Sequence, residues 1–539
     1  MINRLVKNKP VYLFLVITVL LSVSIFINFY GFKVTDPDGF YHIRHAWLYR
    51  TNGILDTSFP WAQYSVVRTL GGDLWYGFHL LLIPFTFILD LIWGIKISGA
   101  VITAISLFLY FLAFHRLKLK FSLLWAAFLP FSQYPLISRL AVTRPHPLSL
   151  GLNILLFSFL LKGGPWPVFF ISFLLSFIHL NLFWVPILTL TVISVARLIN
   201  KQLIEKNKAI GLLSGIVLGA FLRPYPIATL KLSYIQLIDI AIQKMKGVGL
   251  QFGYELIPFG FHLSFYGLPL FTIMTLFFIW LVYKKRLAKT SLEQKITIWT
   301  LMILTSFFLL MTIFVAGRAI EFFIGYLLMF IAFNMTFYFN YVYDDSILSG
   351  LHFYRYRLDK IIKISAVALV AYLLIYIGRT ALKQYDDYLN WLFNPYRSEA
   401  VSRWLEKNSK QGEVVFHLGW DNFPELFFWN QHNYYINGMD PIFLFAYDPG
   451  LYWEFHFLAT DKGGELTCSS RKCTKEEAVR TYDVLVEHFK ASYVFIRAGS
   501  HRKVFDYLFS SKEYYRLVFF DGEAAIFRVV YPALKNRKY

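Results

Sequence analysis

Long apolar runs that recur between residues 11 and 378 constrain the fold of this chain more than any other feature. The first run, residues 11–32, is long enough to cross a bilayer as one helix, and it lacks a small-residue cleavage site. We therefore expect a retained first span with the N-terminus in the cytoplasm. Hydrophobic residues make up 57% of the chain and charged residues only 16%, which excludes an ordinary soluble domain. The sequence predicts a polytopic α-helical membrane protein.

The basic residues indicate which loops face the cytoplasm. The formal net charge is +20, but Lys and Arg fall in short clusters between apolar runs, which is typical of cytoplasmic loops and argues against a nucleic-acid partner. One basic cluster, residues 115–120, follows two apolar runs, 74–93 and 95–114. It lies on the cytoplasmic side only if one of these two runs does not cross the membrane. Run 74–93 carries His79 and Asp90, so we predict that it lies along the outer interface. The remaining runs then alternate, which gives about 11 to 13 transmembrane helices.

The last part of the chain, residues 379–539, has a different pattern. Short β-rich runs such as GEVVFHL and SYVFIR alternate with helical patterns. We predict an extracytoplasmic soluble α/β domain that follows a transmembrane domain, residues 1–378, whose first outer loop is 33–94. Cys468 and Cys473 lie in this soluble domain, where they would form a small disulfide loop or remain two unpaired thiols.

Two carboxylates, Asp36 and Asp38, flank Pro37 directly after the first apolar run. Pro37 and the following Gly39 predict a turn, which puts both carboxylates at a junction between helix and loop. A membrane enzyme would hold a general base there. The alternative is structural, with Asp38 as the N-cap of a helix that begins near Phe40.

The predicted sidedness brings further polar residues to the outer face. Arg144, Arg223 and Arg318 lie at outer ends of apolar runs, where Arg should be scarce. Each alone would be explained as a snorkelling anchor. Together they form a cationic group that fits a lipid-linked phosphate or diphosphate, because guanidinium groups bind phosphate oxygens bidentately. Other polar residues predicted at this face are Arg44, Arg139, His179, Asn181 and Glu321, with His42, His146 and Glu255 as candidate helpers.

Three short motifs carry a resemblance to a known family. They are DPDGFYHIR after the first span, AGRAIEFF at the start of a late helix, and GWDNFPELFF at the start of the soluble domain. In layout and motifs the chain resembles the GT-C superfamily of membrane glycosyltransferases, and within it the catalytic subunit of bacterial and archaeal oligosaccharyltransferases. The resemblance implies that Asp36 or Asp38 is catalytic and that Arg318 contacts the lipid-linked phosphate. It also implies that Trp420 and Asp421 bind the acceptor, although this segment would serve equally well as an aromatic domain core.

The chain departs from the oligosaccharyltransferases in two motifs. Only Gly419, Trp420 and Asp421 match part of their WWD-type acceptor motif. The loop that carries their second acidic motif reads TRPHP here and has no carboxylate. A divalent cation such as Mg²⁺ or Mn²⁺, which the resemblance implies, would normally need more oxygen ligands. Other GT-C enzymes use the first-loop acid as a general base without a metal, which suits this chain better.

The sequence therefore predicts an integral protein of a prokaryotic plasma membrane that moves a sugar or oligosaccharide from a polyprenyl-phosphate or polyprenyl-diphosphate donor. The acceptor would be a protein or a glycan at the extracytoplasmic face. Asp36 or Asp38 would take the acceptor's proton, with Asp36 slightly favoured because it lies nearer the first span. Arg318, with Arg144 or Arg223, would neutralise the departing phosphate. The alternative is a lipid-linked sugar transporter or flippase without transferase activity. A polysaccharide polymerase or ligase of another fold would share the lipid-phosphate chemistry.

Overall fold

The computed structural model describes residues 9–260, 290–345, 353–392 and 394–530, apart from 462–463, 465, 471 and 475–476. The chain divides into two compact units. The first comprises Met1–Thr35, Lys96–Ala220 and Tyr254–Leu392, and the second comprises Asp36–Ile95, Phe221–Gly253 and Phe393–Tyr539. The predicted C-terminal domain therefore shares its compact unit with the first-loop segment and with residues 221–253.

The first unit is helical. Its apolar sequences form helices with few internal breaks, and the breaks fall at Pro or Gly, as at Pro130, Gly163 and Gly317. Its helices, including those that extend a few residues into the second unit, are Lys9–Phe29, Leu91–Arg116, Ser122–Phe128, Leu129–Ser132, Tyr134–Leu140, His146–Lys162, Pro165–Ile178, Leu180–Leu182, Trp184–Ile199, Lys206–Phe221, Tyr254–Leu256, Leu292–Phe314, Gly317–Ala319, Ile320–Asp345 and Phe353–Trp391.

A stripe of glycines explains the close packing of two of these helices. Gly211, Gly215 and Gly219 recur every four residues on Lys206–Phe221. A Cβ atom at any of the three would collide with backbone carbonyl oxygens of the helix Pro165–Ile178. The absence of side chains lets the two backbones approach closely, as small residues do in membrane helix pairs.

Five helices among the described residues are long and apolar enough to cross a membrane, or six if Lys206–Phe221 and Pro226–Met245 form one broken span. The five are Lys9–Phe29, Leu91–Arg116, Leu180–Ile199, Leu292–Phe314 and Gly317–Phe337. The chain is thus a helical membrane protein, and the total of 11 to 13 spans stays a prediction. One predicted span, residues 266–283, lies outside the described residues. Another, residues 361–378, lies within the helix Phe353–Trp391.

The apolar run 74–93 does not form one long helix. It contains Tyr76–Leu82, the 3₁₀ helix Ile83–Phe87 and the start of Leu91–Arg116. The continuous piece Tyr76–Phe87 is too short to be a candidate span by itself. His146–Lys162 and Pro165–Ile178, which contain predicted spans, are shorter than a candidate span in the same way, so the prediction that run 74–93 lies along the outer interface stays a prediction.

The second unit combines short helices with a sheet. Its helices are Asp38–Asn52, Val66–Leu70, Tyr76–Leu82, Ile83–Phe87, Pro226–Tyr234, Ile235–Asp239, Ile240–Met245, Glu399–Asn408, Trp420–Asn422, Phe423–Trp429, Pro441–Tyr447, Pro449–Ala459, Thr481–Asp483, Val484–His488 and Arg502–Ser510. Its strands are β1 (Val414–His417), β2 (Tyr434–Tyr435), β3 (Leu466–Cys468), β4 (Ala478–Arg480), β5 (Ala491–Arg497), β6 (Tyr515–Phe520) and β7 (Ala524–Val529).

Five strands form a mixed sheet in the order β2-β1-β5-β7-β6. β1 pairs in parallel with β2 and β5, whereas β7 is antiparallel to β5 and β6. All four residues of β1 are buried, as expected for a strand covered on both faces. β3 and β4 form a separate antiparallel pair. A disulfide joins Cys468 to Cys473, which confirms the predicted loop.

The first-loop segment extends the edge of this sheet beside β2. The backbone N–H of Tyr435 donates to the carbonyl of Trp61 at 2.7 Å. In return, Gln63 and Tyr64 donate to the carbonyls of Tyr435 and Ile436, both at 2.8 Å. These bonds cover an edge that would otherwise present unpaired backbone groups.

Candidate functional site

The two predicted catalytic carboxylates have different roles at the start of one helix. The helix Asp38–Asn52 begins at Asp38 itself, and its N-cap is Pro37 without a side-chain hydrogen bond. The prediction that Asp38 is the N-cap is therefore wrong. Instead, Oδ1 of Asp36 accepts the backbone N–H of Asp38 at 2.8 Å, because an Asp before a proline turn can bond two residues ahead. Both carboxylates are half-buried.

A hydrogen-bonded chain of three side chains, which we call the Asp–His chain, includes the predicted helper His42. Nδ1 of His42 lies 2.8 Å from Nε2 of His79, and Nδ1 of His79 lies 2.7 Å from Oδ2 of Asp73. The three side chains are buried, with exposures of 1%, 0% and 4%. The hydroxyl of Tyr49 donates to the same oxygen of Asp73 at 2.7 Å. Asp73 and His79 were not among the predicted site residues.

The charges of these groups follow from their surroundings. Burial opposes the charged form of Asp73, but attraction to His79 and the hydrogen bond from it, with His45 and Tyr49, hold the pKa of this carboxyl well below its usual value. Burial, together with the proximity of His79, lowers the pKa of His45 to about 3. Burial and then Asp73 raise the pKa of Tyr49. Asp73 is thus an ionised carboxylate that accepts hydrogen bonds from Tyr49 and His79.

One group of ligand atoms among the described residues could be considered for a metal ion. Nε2 of His45, Oδ2 of Asp73 and Nδ1 of His79 lie within 4.8 Å of one another. However, the rings of His45 and His79 are stacked, with centroids 4.3 Å apart and planes 10° from parallel, so their lone pairs do not converge on one point. Two nitrogens and one carboxylate are also a poor match for Mg²⁺, which prefers oxygen ligands. The arrangement fits a hydrogen-bond network, and a Mg²⁺ or Mn²⁺ site stays a prediction.

Arg223 supports the same network from another segment of the second unit. Its Nη1 donates to the carbonyls of Asp73 and Leu74, at 3.3 and 3.4 Å. The side chain is buried. These two hydrogen bonds hold the backbone at Asp73 and Leu74. Arg223 was predicted to join Arg144 and Arg318 at a phosphate site, and that role stays a prediction.

The first unit contains a second polar group, which we call the arginine cluster: Arg139, Arg144, Arg318, Glu255 and Glu321. Arg139 pairs with both carboxylates, through Nη1 to Glu255 and through Nε to Oε1 of Glu321. Nη1 of Arg144 lies 3.0 Å from Oε2 of Glu255, and Nη1 of Arg318 lies 3.7 Å from Oε1 of Glu255. Three guanidinium groups thus share two carboxylates, so the formal charge of the cluster is +1.

Two histidines contact this cluster. Nη2 of Arg318 is hydrogen-bonded to Nε2 of His146. Because a guanidinium can only donate, His146 must accept with an unprotonated Nε2. The ring of His146 packs edge-on against that of His179, with centroids 4.5 Å apart, and Nδ1 of His179 lies 3.1 Å from Oγ of Ser149. The structure therefore brings together four predicted site residues, Arg144, Arg318, His146 and Glu255.

The cluster is partly open. The side chains of Arg318 and Glu255 remain 28% and 26% exposed, whereas that of Glu321 is 4% exposed. Burial opposes ionisation of Glu255, but Arg139, Arg144 and Arg318 hold its pKa well below the usual value. The excess positive charge is therefore present at neutral pH and is accessible.

Trp420 and Asp421 lie in a 3₁₀ turn, Trp420–Asn422, directly after β1. Asp421 is exposed and Trp420 is half-buried, whereas the following helix Phe423–Trp429 is largely buried. The residues of Phe423–Trp429 thus pack as a domain core, whereas Trp420 and Asp421 remain accessible.

A buried ion-pair group fixes this turn. Nε of Arg497 donates to Oδ1 of Asn422 at 3.1 Å. Arg397 and Ser398 donate to the carboxylate of Glu425, with Nε of Arg397 at 3.0 Å from Oε2. Burial opposes the ionised form of Glu425, but the bond from Arg397 and the charge of Arg497 lower its pKa.

The chain matches no protein-family model and no curated protein. Solved structures match it in fold. The archaeal oligosaccharyltransferase AglB from Archaeoglobus fulgidus, in complex with an inhibitory peptide and a dolichol-phosphate, superposes with a TM-score of 0.55 at 12% identity, covering 91% of this chain and 70% of that one. ArnT from Cupriavidus metallidurans superposes with a TM-score of 0.51 at 12% identity, both in the apo state (96% of this chain, 97% of that one) and bound to undecaprenyl phosphate (97% and 98%). The chain therefore has the GT-C fold of membrane glycosyltransferases, and the resemblance predicted from its sequence is confirmed.

Proposed function

We propose that this protein is a glycosyltransferase that moves a sugar or oligosaccharide from a polyprenyl-phosphate or polyprenyl-diphosphate donor to an acceptor on the extracytoplasmic face of the membrane. The observation that carries the proposal is the arginine cluster, a partly open group with excess positive charge. Two structural neighbours with the same fold, AglB and ArnT, were solved with a dolichol-phosphate and with undecaprenyl phosphate.

Arg318 is the residue best placed to receive a phosphate. Its Nη1 lies 3.7 Å from Oε1 of Glu255, beyond hydrogen-bonding distance, so binding another anion there would break no hydrogen bond to Glu255. The other terminal nitrogen of Arg318, Nη2, is oriented by its hydrogen bond to Nε2 of His146. A planar guanidinium can hold two phosphate oxygens at once and stabilise the charge that develops as the lipid phosphate departs. Arg144 and Arg139 complete the positive field.

Asp38 is the better candidate for the general base. One carboxylate oxygen of Asp36 accepts the backbone N–H of Asp38. Asp38 itself lies in the first turn of a helix, where a negative charge is favoured. In an inverting transfer, the acceptor's lone pair attacks the sugar carbon, the bond from that carbon to the phosphate oxygen breaks, and Asp38 takes the acceptor's proton. No step is assigned to a metal ion. Trp420 and Asp421 are the candidates for holding the acceptor.

The test uses the full-length protein in liposomes with a polyprenyl-phosphate-linked sugar and a mixture of peptide and glycan acceptors. We expect release of polyprenyl phosphate and transfer of the sugar, and we expect Asp38→Asn to bind the donor without releasing the sugar. If the wild type moves the intact lipid-linked sugar between leaflets and never cleaves it, the protein is a carrier and the proposal fails.

A further inference from the structure

Thr35 is held at both its backbone and its side chain. The hydroxyl of Tyr388 donates to the backbone carbonyl of Thr35 at 2.8 Å, and the hydroxyl of Thr35 donates to the backbone carbonyl of Ala141. Thr35 is buried. It is the last residue of the first unit, and Asp36 is the first residue of the second. The peptide bond that leads to the candidate carboxylates therefore starts from a residue that is fixed within the first unit.

Two lysines fix the backbone just before Thr35. Nζ of Lys96 donates to the carbonyl of Lys33 at 2.6 Å, and Nζ of Lys33 donates to the carbonyl of Leu389 at 2.8 Å. Lys96 is only 6% exposed, and a buried ammonium costs free energy unless it is hydrogen-bonded. Hydrogen bonds from a charged donor are also stronger than those from a neutral one. Residues 33–35 are thus held by strong bonds within the first unit.

The carbonyl that Thr35 binds lies in the segment that carries two members of the arginine cluster. Ala141 directly follows the helix Tyr134–Leu140, which carries Arg139. Arg144 comes three residues after Ala141. Arg139 pairs with both carboxylates of the cluster, and Arg144 pairs with one of them. A shift of the backbone at Ala141 would therefore move the guanidinium groups on both sides of it.

Two threonines cap the end of this helix. The last carbonyls of a helix have no partner within the helix itself, so donors must come from elsewhere. Oγ1 of Thr103 donates to the carbonyl of Leu140 at 2.6 Å, and the hydroxyl of Thr35 donates to the carbonyl of Ala141. The two threonines thus have the same role at the helix end. Only Thr35 is also joined by a peptide bond to Asp36.

We propose that Thr35 is a positioning residue that couples the donor site to the general base. Its hydroxyl holds the segment of Arg139 and Arg144, and its backbone holds the start of the segment that carries Asp36 and Asp38. The inference rests on the proposed function and deepens it, because it names the residue that keeps the two parts of the reaction in register. Thr35 acts through these neighbours and not on the reacting atoms.

The sensitivity of group transfer to geometry gives the coupling its effect. The base must meet the acceptor while the guanidinium groups hold the departing phosphate, and a displacement of about 1 Å can lower the rate about 100-fold. The hydroxyl of a threonine is well suited to this task, because a β-branched side chain is stiff about its first torsion. A shift of the backbone at Thr35 is therefore passed on to Ala141 without being absorbed by a flexible side chain.

The test measures two quantities in the full-length protein: single-turnover release of sugar at saturating donor, and binding of polyprenyl phosphate in nanodiscs. In Thr35→Val the side chain keeps its shape but loses its donor. We expect the rate of release to fall about 10- to 100-fold and binding to weaken about threefold. Thr35→Ser keeps the hydroxyl, so it should retain both quantities to within about threefold.

Thr103→Val is the matched control, because it removes the other cap from the same helix end. We expect it to weaken binding about threefold, as Thr35→Val does, and to keep the rate at saturating donor within about threefold of the wild type. Equal losses of rate in Thr35→Val and Thr103→Val would show that Thr35 is only a helix cap and would overturn the inference. A rate in Thr35→Val that stays within about threefold of the wild type would also overturn it.

Lys96→Met tests the backbone of residues 33–35 without touching the cap, and it keeps the inference testable if Thr35→Val does not fold. The substitution removes the bond to the carbonyl of Lys33 and leaves that of Thr35 to Ala141. We expect the rate to fall about 3- to 10-fold with donor binding unchanged. Weaker binding at an unchanged rate would overturn the inference. All of these failures leave the transferase proposal intact, whereas a wild type that binds the donor and never releases sugar removes both.

Discussion

The two polar groups of this protein solve the problem of buried charge in opposite ways. In the Asp–His chain of the second unit, the carboxylate of Asp73 accepts hydrogen bonds from Tyr49 and His79, and the side chains are at most 4% exposed. In the arginine cluster of the first unit, three cations share two carboxylates, and Arg318 and Glu255 remain about a quarter exposed. One group is closed and electrically satisfied, whereas the other is open and keeps a positive charge.

The difference indicates what each group can do. A closed hydrogen-bond chain can hold a tautomer or a proton, because every member has a defined donor or acceptor role. It has no room for a new ligand. An open cationic group is unsuited to fixing protons, because a guanidinium does not titrate in the working range, but it attracts an anion. The predictions below test this division of labour between the two units.

The largest effect is expected at the carboxylates of the second unit. Asp38→Asn should lower the rate of sugar transfer by at least about 100-fold, the usual loss for a general base. Asp36→Asn should lower it by less than about tenfold, because Asn keeps the side-chain oxygen that accepts the N–H of Asp38. The measurement is single-turnover sugar release at saturating donor. Equal and mild losses at both positions would show that neither carboxylate is the base.

The next effect concerns the donor and the first unit. Arg318→Lys should weaken binding of polyprenyl phosphate by about 1.5 to 3 kcal/mol, because an ammonium cannot reproduce a two-pronged guanidinium contact. Binding to nanodiscs that contain the lipid gives the affinity. Arg197→Lys is the matched control, since Arg197 pairs with Glu205 on another part of the same unit. If both substitutions have the same small effect, Arg318 is a membrane anchor and the contrast between the two groups disappears.

The smallest effect is a difference in stability that depends on pH. Because the folded-state pKa of Asp73 lies below its unfolded value, its charge stabilises the fold above about pH 4 and ceases to do so as the pH falls through the folded value. Asp73→Asn should therefore cost about 1 to 1.5 kcal/mol at neutral pH, as neutral hydrogen bonds replace charged ones. The difference from the wild type should shrink on acidification. Thermal unfolding of both proteins from pH 7 down to about pH 2 measures it, and a difference that grows at low pH would contradict the assigned ionisation.

Much of the fold could be predicted from local pattern. Long apolar runs and basic loops predict a helical membrane protein, and the β-rich runs after residue 400 predict the sheet. Two of the three predicted phosphate-binding arginines, Arg144 and Arg318, share one cluster because both follow apolar runs and precede helices. The short motifs around Asp38, Arg318 and Trp420, together with the layout of the chain, carried the GT-C resemblance.

The remaining features depend on contacts between segments that are distant in sequence. Predicted sidedness says which surface Arg223 shares, but it gives no signal for the hydrogen bonds of Arg223 to the carbonyls of Asp73 and Leu74. Asp73 and His79 carried no signal beyond being polar residues near an apolar run, and their pairing with His42 requires the packing of two helices. The change in composition near residue 379 predicts a boundary there, but it carries no information on the backbone pairing of residues 61–64 with β2.

That backbone pairing imposes an order on how the protein is made. The indole N–H of Trp61 donates to the carbonyl of Gln431, which is 370 residues further along the chain. At ordinary rates of synthesis, about 20 to 70 s pass between the appearance of the two residues. During that interval the first-loop segment has no sheet edge to join, and its aromatic side chains have no partners from the last part of the chain. The second unit therefore closes only after nearly all of the protein has entered the membrane, so chaperones and proteases encounter an almost complete chain whose first and last parts have yet to meet.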